Sequence, residues 1–414
     1  MNSLREDLNA YLQQMTIIDA HEHLMPERGR VARQIDVLSL LSLYAWFDLM
    51  SAGLPTKGLK TAIGDNYLTD HRVPLEEKWN RVWPYIQRIK HGSYYRATAI
   101  ALRDLYGIAD LNERTWREAN ERVSAANRPG LYRSILRDRC HIRTCLVQNG
   151  AILDQDPADL FTPVLGSVPL HATPNRAFAD YLGAESGVPV TDLDTYLKAY
   201  GMYLDKVRSQ GAVGVKIRSC AMVRPDMDDA RSAFQDALRG APAAPVLACT
   251  VLDFVLRWAG EHDWPVAVHC GVWDDFRTVN PRQMLDIVPA YPQTRFDLYH
   301  LGLPDVRDTL FIAKNYPNAY LNLCWCWVVS QDISQRAVHE ILDMVPVNKV
   351  FAFGGDYITE VENVYGHLVM ARESLTHAMS DRVHRGWMSA DDAREVLRLW
   401  MVDNPSRFYG LKPA

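Results

Sequence analysis

Two histidines one residue apart close the segment TIIDAHEHL at residues 16–24. Side chains alternate between faces along an extended strand, so His21 and His23 share one face and Glu22 takes the other. Two imidazoles on one face suit a metal and equally suit a polar strand end. What decides between these is whether the chain supplies more groups of the same kind. Candidates recur farther on, in or at the end of short apolar runs: Lys216 and Arg218 in AVGVKIRS, His269 in PVAVHCG, His300 in RFDLYHLG and Asp356 in VFAFGGDY. Neutral imidazoles and a carboxylate favour zinc, manganese, iron or cobalt, and a ligand set with one open position leaves room for water or substrate. A metal so held lowers the pKa of a water or polarises a carbonyl. Asp356 is read as a ligand, as the acceptor of that water's proton, or both. His300 is read as a second-site ligand, a general acid or a group polarising the substrate carbonyl. Lys216 and Arg218, two positions apart, fall on one face of a strand and suit a cationic clamp for a substrate carboxylate. An ion pair with a neighbouring acid is the equally weighted alternative for Arg218.

Eight apolar runs bounded by turn residues are predicted as strands: 16–20, 141–148, 161–170, 212–219, 265–271, 295–302, 319–327 and 350–357. Amphipathic segments such as 305–316 and 334–345 separate the later ones. Buried strands alternating with helices imply a parallel sheet, and a count of eight predicts an α/β fold of the closed (β/α)8 TIM-barrel type. No G-x-G-x-x-G or Walker-type loop follows a strand, which removes the commonest nucleotide-binding folds. Barrel enzymes carry their chemistry at the C-terminal ends of strands, which is where these ligand-type residues fall. The first two strands stand far apart, and the intervening sequence predicts helices over 75–89, 93–107 and 115–127. We therefore expect one barrel domain over 1–414 with a helical subdomain inserted at about 30–135, covering the mouth. The tail reads as closing helices, the last ending before NPSRFYG.

The 414 residues are 48% hydrophobic and carry a net charge of -5, with Lys and Arg scattered along the chain. That excludes an electrostatic footprint for nucleic acid and favours a small-molecule substrate as partner. The N-terminus has no long apolar run and no window approaches a membrane span, so a cytoplasmic protein is expected, with self-association open. Seven cysteines lie mostly inside apolar runs and are read as buried free thiols. CWCW at 324–327 is read as a strand with thiols on one face and indoles on the other. Weaker candidates are Trp273, Asp274 and Arg277 at the pocket rim, Trp325 and Trp327 as a wall for a ring, and Tyr95 and Arg96 reaching down from the insertion. His91, His339, His367 and His377 are read as structural, and Glu22 as a rim partner rather than a base.

Taken together, H-x-H after strand 1, a strand-4 lysine, histidines after strands 5 and 6 and an aspartate after strand 8 resemble the pattern of the amidohydrolase superfamily along nearly the whole chain. The resemblance assigns His21, His23, His269 and Asp356 to the metal, and Asp356, His300, Lys216 and Arg218 to catalysis. The segment YYRATAIALRDLYGIADLNERTWREANERV is similar to a segment of uronate isomerases and of amidohydrolase-2 type domains fused to glutamine synthetase-like proteins. In binuclear members the strand-4 lysine is carboxylated and bridges two metals. In the branches this chain most resembles, one metal usually suffices, so one divalent metal is expected, zinc ahead of manganese or another transition metal. The implied reaction is hydrolysis, with metal-activated water attacking an amide, imide, ester or lactone carbonyl of a small, carboxylate-bearing substrate. One alternative is a uronate isomerase-like aldose–ketose isomerase, although DYITEVENVYGHLVMARESL departs from the arginine-rich segment of that family. Another is non-oxidative decarboxylation of an aromatic or unsaturated acid. A non-catalytic binding role fits least, because no strand-end ligand is missing.

Overall fold

The structure, a computed structural model, describes residues 2–148, 156–166, 174–222, 226–242, 244–272 and 275–412. Eight parallel strands form a barrel: β1 (Ile17–Glu22), β2 (Ile142–Val147), β3 (Phe161–Pro163), β4 (Val215–Arg218), β5 (Val266–His269), β6 (Phe296–Leu298), β7 (Ala319–Asn322) and β8 (Val350–Phe351). They lie in two sheets, ordered β1-β2-β3 and β8-β7-β6-β5-β4. The expected (β/α)8 architecture is therefore present, assembled from two sheets instead of one continuous ladder. At one seam Leu165 bridges to Val215, and Lys216 N–H donates to the Leu165 carbonyl at 2.8 Å. At the other, Ala20 N–H donates to Phe353 O and Asp356 N–H to His21 O, each at 3.0 Å. All six residues of β1 are buried, as a strand covered on both faces requires.

Five helices matter for the site: α1 (Asn2–Gln14), α2 (Leu75–Ile89), α3 (Ser93–Tyr106), α4 (Trp116–Ala126) and α5 (Val361–His384). The middle three belong to the insertion between β1 and β2, which packs around its own aromatic cluster, Trp79 stacking on Trp83 and on Trp116. α3 lies against α5 so closely that a Cβ on Gly366 would stand 2.0 Å from the Ala97 carbonyl oxygen. A buried ion pair fastens the insertion to the same helix: Arg30 Nη2 reaches Glu362 at 2.8 Å, both side chains being wholly enclosed. Among the described residues no helix is long and apolar enough to cross a membrane.

Two local expectations are corrected. CWCW is not a strand: β7 stops at Asn322, whose side-chain oxygen accepts from Cys324 N–H, and this turn leads into a short helix, Cys326–Val329. The side chain outcompetes the next strand partner for that amide, so the alternation rule lapses. Nor does the chain stop being helical before NPSRFYG. Asn404–Phe408 is a further helix, with its proline in the first turn, where the missing N–H is harmless.

That last helix carries Phe408 and Tyr409 into the base of the barrel. Phe408 packs on Tyr320 and Phe351, and Tyr409 Oη donates to Asp297 Oδ2 at 2.7 Å. Asn322 donates to the same oxygen at 3.0 Å, while Asp297 Oδ1 is buried with no partner among the described residues. Burial pushes the Asp297 carboxyl up to about 7. The native state thus holds this proton more tightly than the unfolded chain, so the cost of ionisation is absent below pH 4 and complete above pH 7. Asp297→Asn keeps the acceptor and supplies a donor where the orphan oxygen stands. Calorimetry is expected to show the variant gaining about 3 °C in Tm at pH 8 and almost nothing at pH 4; an equal gain at both would disprove the account.

Candidate metal centre

The strand-end residues meet at the C-terminal mouth of the barrel. His21 is fully buried, whereas His23 leaves 34% of its side chain exposed. Their Nε2 atoms lie 2.9 and 3.6 Å from Asp356 Oδ1, and His300 Nε2 lies 3.9 Å from Asp356 Oδ2. His269 Nδ1 stands 3.2 Å from His300 Nε2. Lys216 Nζ sits 3.4 Å from His21 Nε2 and 3.3 Å from His23 Nε2. Arg218 is half-buried beside His269, its register partner across β4 and β5.

Hydrogen bonds at the far side of two rings set which nitrogen faces inward. His23 Nδ1 donates to the Gln148 carbonyl and His300 Nδ1 to the Cys324 carbonyl, each at 3.0 Å. A carbonyl only accepts, so both rings carry their proton on Nδ1 and present a lone pair on Nε2. Burial, reinforced by the Lys216 charge, lowers all four imidazoles, His23 and His300 to about 4 and His21 and His269 well below their ordinary value. They are neutral at pH 7, the form a metal takes. Burial alone would raise the Asp356 carboxyl, but His21, His300 and His23 outweigh it and hold it well below the carboxylate range. Lys216 is lowered by burial, against the pull of Asp356.

Donor atoms of His21, His300 and Asp356 all lie within 4.8 Å of one another. His300, read from the sequence as a group beside the metal, thus faces the donors directly, with His23 and His269 adjoining. His269 Nε2 is buried with no partner among the described residues. Imidazole nitrogens gathered round a carboxylate, one of them without a partner, fit a divalent transition metal.

The backbone is bent to achieve this. His300, Trp325 and Asp356 have φ of 61°, 63° and 66°, at or just beyond the ends of β6, β7 and β8. Left-handed conformations at non-glycine residues cost about 1–3 kcal/mol each and persist only where the surroundings fix them. Two buried acids provide that fixing at Asp356. Asp19 Oδ1 accepts from His21 N–H and Gly355 N–H at 3.2 Å, and Glu22 Oε2 accepts from Tyr357 N–H at 2.7 Å. Glu22 does point away from the donors, but it is not at a rim: it is wholly buried beneath the Asp356 loop, and burial raises its carboxyl well above the usual range.

A cavity of about 190 Å³ opens over the donors, lined by His23, Tyr44, Lys216, His269, Trp325 and Asp356, with Leu43, Ile63 and Ile358 as apolar walls. Tyr44 donates its hydroxyl to the Asp356 carbonyl and stacks on Tyr94 at 5.3 Å. Trp325 meets His300 edge-on at 5.2 Å. The aromatic residue reaching down from the insertion is therefore Tyr44, backed by Tyr94, where the sequence suggested Tyr95 and Arg96. Tyr95 is buried in the insertion's own core, and Arg96 pairs with Glu373 and Gln331 on the outer surface. Trp327 is buried with its indole N–H on the Ala352 carbonyl, and Arg277 is exposed and paired with Asp275. Trp273 and Asp274 lie outside the described residues. Tyr44 carried no signal in the sequence, since it stands in the apolar run LLSLYAWF with no spacing that marks it.

Comparison with known proteins adds to this geometry. A family model described as "Amidohydrolase" matches residues 202–411. The chain is similar to a uronate isomerase from Thermotoga maritima, with a TM-score of 0.81 at 16% identity over 98% of this chain and 97% of that one. It is similar also to a glucuronate isomerase from Caulobacter crescentus, with a TM-score of 0.79 at 15% identity over 100% and 95%. At such identities the likeness is one of fold. A segment of 152 residues is 26% identical to the protein fluG of Emericella nidulans; the match takes in 36% of this chain and 17% of that much longer protein.

The loop before Asp356 offers a direct check. A Cβ on Gly355 would fall 1.9 Å from Glu22 Oε1, so Gly355→Ala must displace either the loop or the buried acid. We expect a loss of about 1–3 kcal/mol in unfolding free energy and a lower metal-to-protein ratio by elemental analysis. Gly29→Ala is the control, because its Cβ meets only Met25 Sδ at 3.8 Å. Unchanged metal content in Gly355→Ala would separate the loop from the donors.

Proposed function

Because the chain belongs to the amidohydrolase family, we propose that it is a metal-dependent hydrolase opening an amide, imide, ester or lactone carbonyl of a small, carboxylate-bearing substrate. What supports this reading is Asp356: ionised, 12% exposed to the cavity, and placed with one oxygen on His21 and the other toward His300. It is a proton acceptor at the point where an attacking water would stand. His21, His23, His269 and Asp356 would supply the donors for one divalent metal, zinc being our first choice, with His300 beside them. When bound, such a metal supplies Lewis acidity, polarising the substrate carbonyl and making water a stronger acid.

The remaining work falls to the protein. Asp356 takes the proton from water and returns it to the leaving group. Lys216, between His21 and His23, faces the negative charge that builds on the carbonyl oxygen, and Arg218 at the strand end receives the substrate carboxylate. Tyr44, Tyr94 and Trp325 exclude bulk water, which strengthens these electrostatic contacts. We place the reaction in the cytoplasm with a small molecule as partner.

A second reading, sugar-acid isomerisation, is favoured by the full-length likeness to uronate isomerases. The cavity weighs against it, since Leu43, Ile63, Ile358 and Trp325 offer little to the hydroxyls of an open-chain sugar. The metal-loaded protein should incorporate solvent oxygen into the product of an amide or lactone from a substrate library. Solvent exchange of a C–H proton without hydrolysis would establish isomerisation, and release of carbon dioxide would establish decarboxylation. His269→Ala should lower metal retention and turnover by about 100-fold with an unchanged circular dichroism spectrum. Full activity in that variant would remove His269 from the centre, and two metals with a carboxylated Lys216 would replace the one-metal reading.

A further inference from the structure

A cleft of about 860 Å³, far larger than the cavity over the donors, lies on the outer side of the molecule where α1, α3 and α5 meet the segment before β2. Its size is that of a small-molecule site. Five arginines line it, Arg5, Arg96, Arg103, Arg139 and Arg372, against three carboxylates, Glu6, Asp138 and Glu373. His141 and His377 complete the polar wall. This excess of positive charge stands on a chain whose net charge is -5.

The carboxylates do not consume the cations. Arg96 is paired with Glu373 and Arg103 with Asp104, but Arg5, Arg139 and Arg372 have no salt-bridge partner among the described residues. Arg372 is the informative one. It is only 6% exposed, its one hydrogen bond among the described residues is from Nη2 to the Cys140 carbonyl at 2.9 Å, and its Nε has no acceptor among them. One turn along the same face of α5, Thr376 is 2% exposed with an unpartnered hydroxyl. A guanidinium shut into a protein wall without a counter-charge is costly, and the natural compensation is an anion from outside. Arginine is suited to phosphate and carboxylate groups because its planar donors engage two oxygens at once.

We propose that this cleft is a second ligand site, separate from the metal centre, that takes a small polyanion bearing at least two phosphate or carboxylate groups. Its walls are also the supports of the mouth. α3 presents Arg96 and Arg103 to the cleft while its Tyr94 stacks on Tyr44, and α5 follows directly on the Asp356 loop. With the two helices in contact at Gly366 and Ala97, an anion spanning them bears on the position of Tyr94 and of the Asp356 loop together. The proposal rests on the cleft alone and stands apart from the hydrolase reading.

Calorimetric titration of the metal-loaded full chain with inorganic phosphate, fructose 1,6-bisphosphate and succinate, at constant ionic strength, tests it. One anion per chain is expected for at least one probe, and which probe binds identifies phosphate or carboxylate as the recognised group. The surface double variant Arg5→Glu/Arg139→Glu should weaken that binding at least tenfold with metal content and Tm unchanged. Absence of binding by all three probes would overturn the site. So would equal affinity in the double variant, which would put the anion on the metal centre, or a dimer in sedimentation that the same substitutions break.

Discussion

Asp356 bridges one seam of the barrel with its backbone and faces the donors with its side chain. Its N–H bonds the His21 carbonyl across the seam between β8 and β1, and its carboxylate meets the His21 ring 2.9 Å away. Residue 356 takes a left-handed turn, and the two glycines before it, where a Cβ would collide with Cys324, His21 or Glu22, let the loop lie against β1. Lys216 connects the opposite seam to the same place, its N–H on Leu165 and its amine between His21 and His23. Both seams thus contribute to the mouth, which His269 and His300 complete from β5 and β6 in the middle of the larger sheet.

Burial is what makes these groups useful and what makes them expensive. Four imidazoles at the mouth stay neutral, a carboxylate stays ionised among them, and Asp19, bonded to the Gly355 N–H, is driven up to about 7. In water these side chains would differ little from free amino acids. Inside the barrel their states are pulled apart, which is the usual means by which one set of residues supplies ligands, an acceptor and a cation at one pH. The backbone strain at His300, Trp325 and Asp356 belongs to the same arrangement, since each lies where the chain turns back over the mouth.

Much of the architecture was legible in the sequence because it follows local periodicity. The helix expected over 75–89 is Leu75–Ile89, and the alternation in DAHEHL does put His21 and His23 on one side. The strand-end pattern named residues that the fold brings to a single mouth. What periodicity could not carry was any contact made by an apolar-looking residue at long range. Tyr44 and Tyr94 lie in runs that read as core, and only the docking of the insertion turns their rings toward Asp356. CWCW failed for a local reason, one amide bonding backwards to Asn322. Glu22 was placed on the correct face but the wrong layer, because outside the barrel axis there is a second buried shell beneath the Asp356 loop.

The enclosed pair of Arg30 and Glu362 joins residues 332 positions apart in the chain. The seam between β1 and β8 spans the same stretch of chain, Gly355 N–H reaching Asp19 Oδ1 across 336 positions. One long closure therefore brings both contacts within reach, and its entropy is met once for the two of them. The roof over the mouth and the floor beneath it share a single fastening in α5 and the loop before it, so whatever loosens that stretch loosens both.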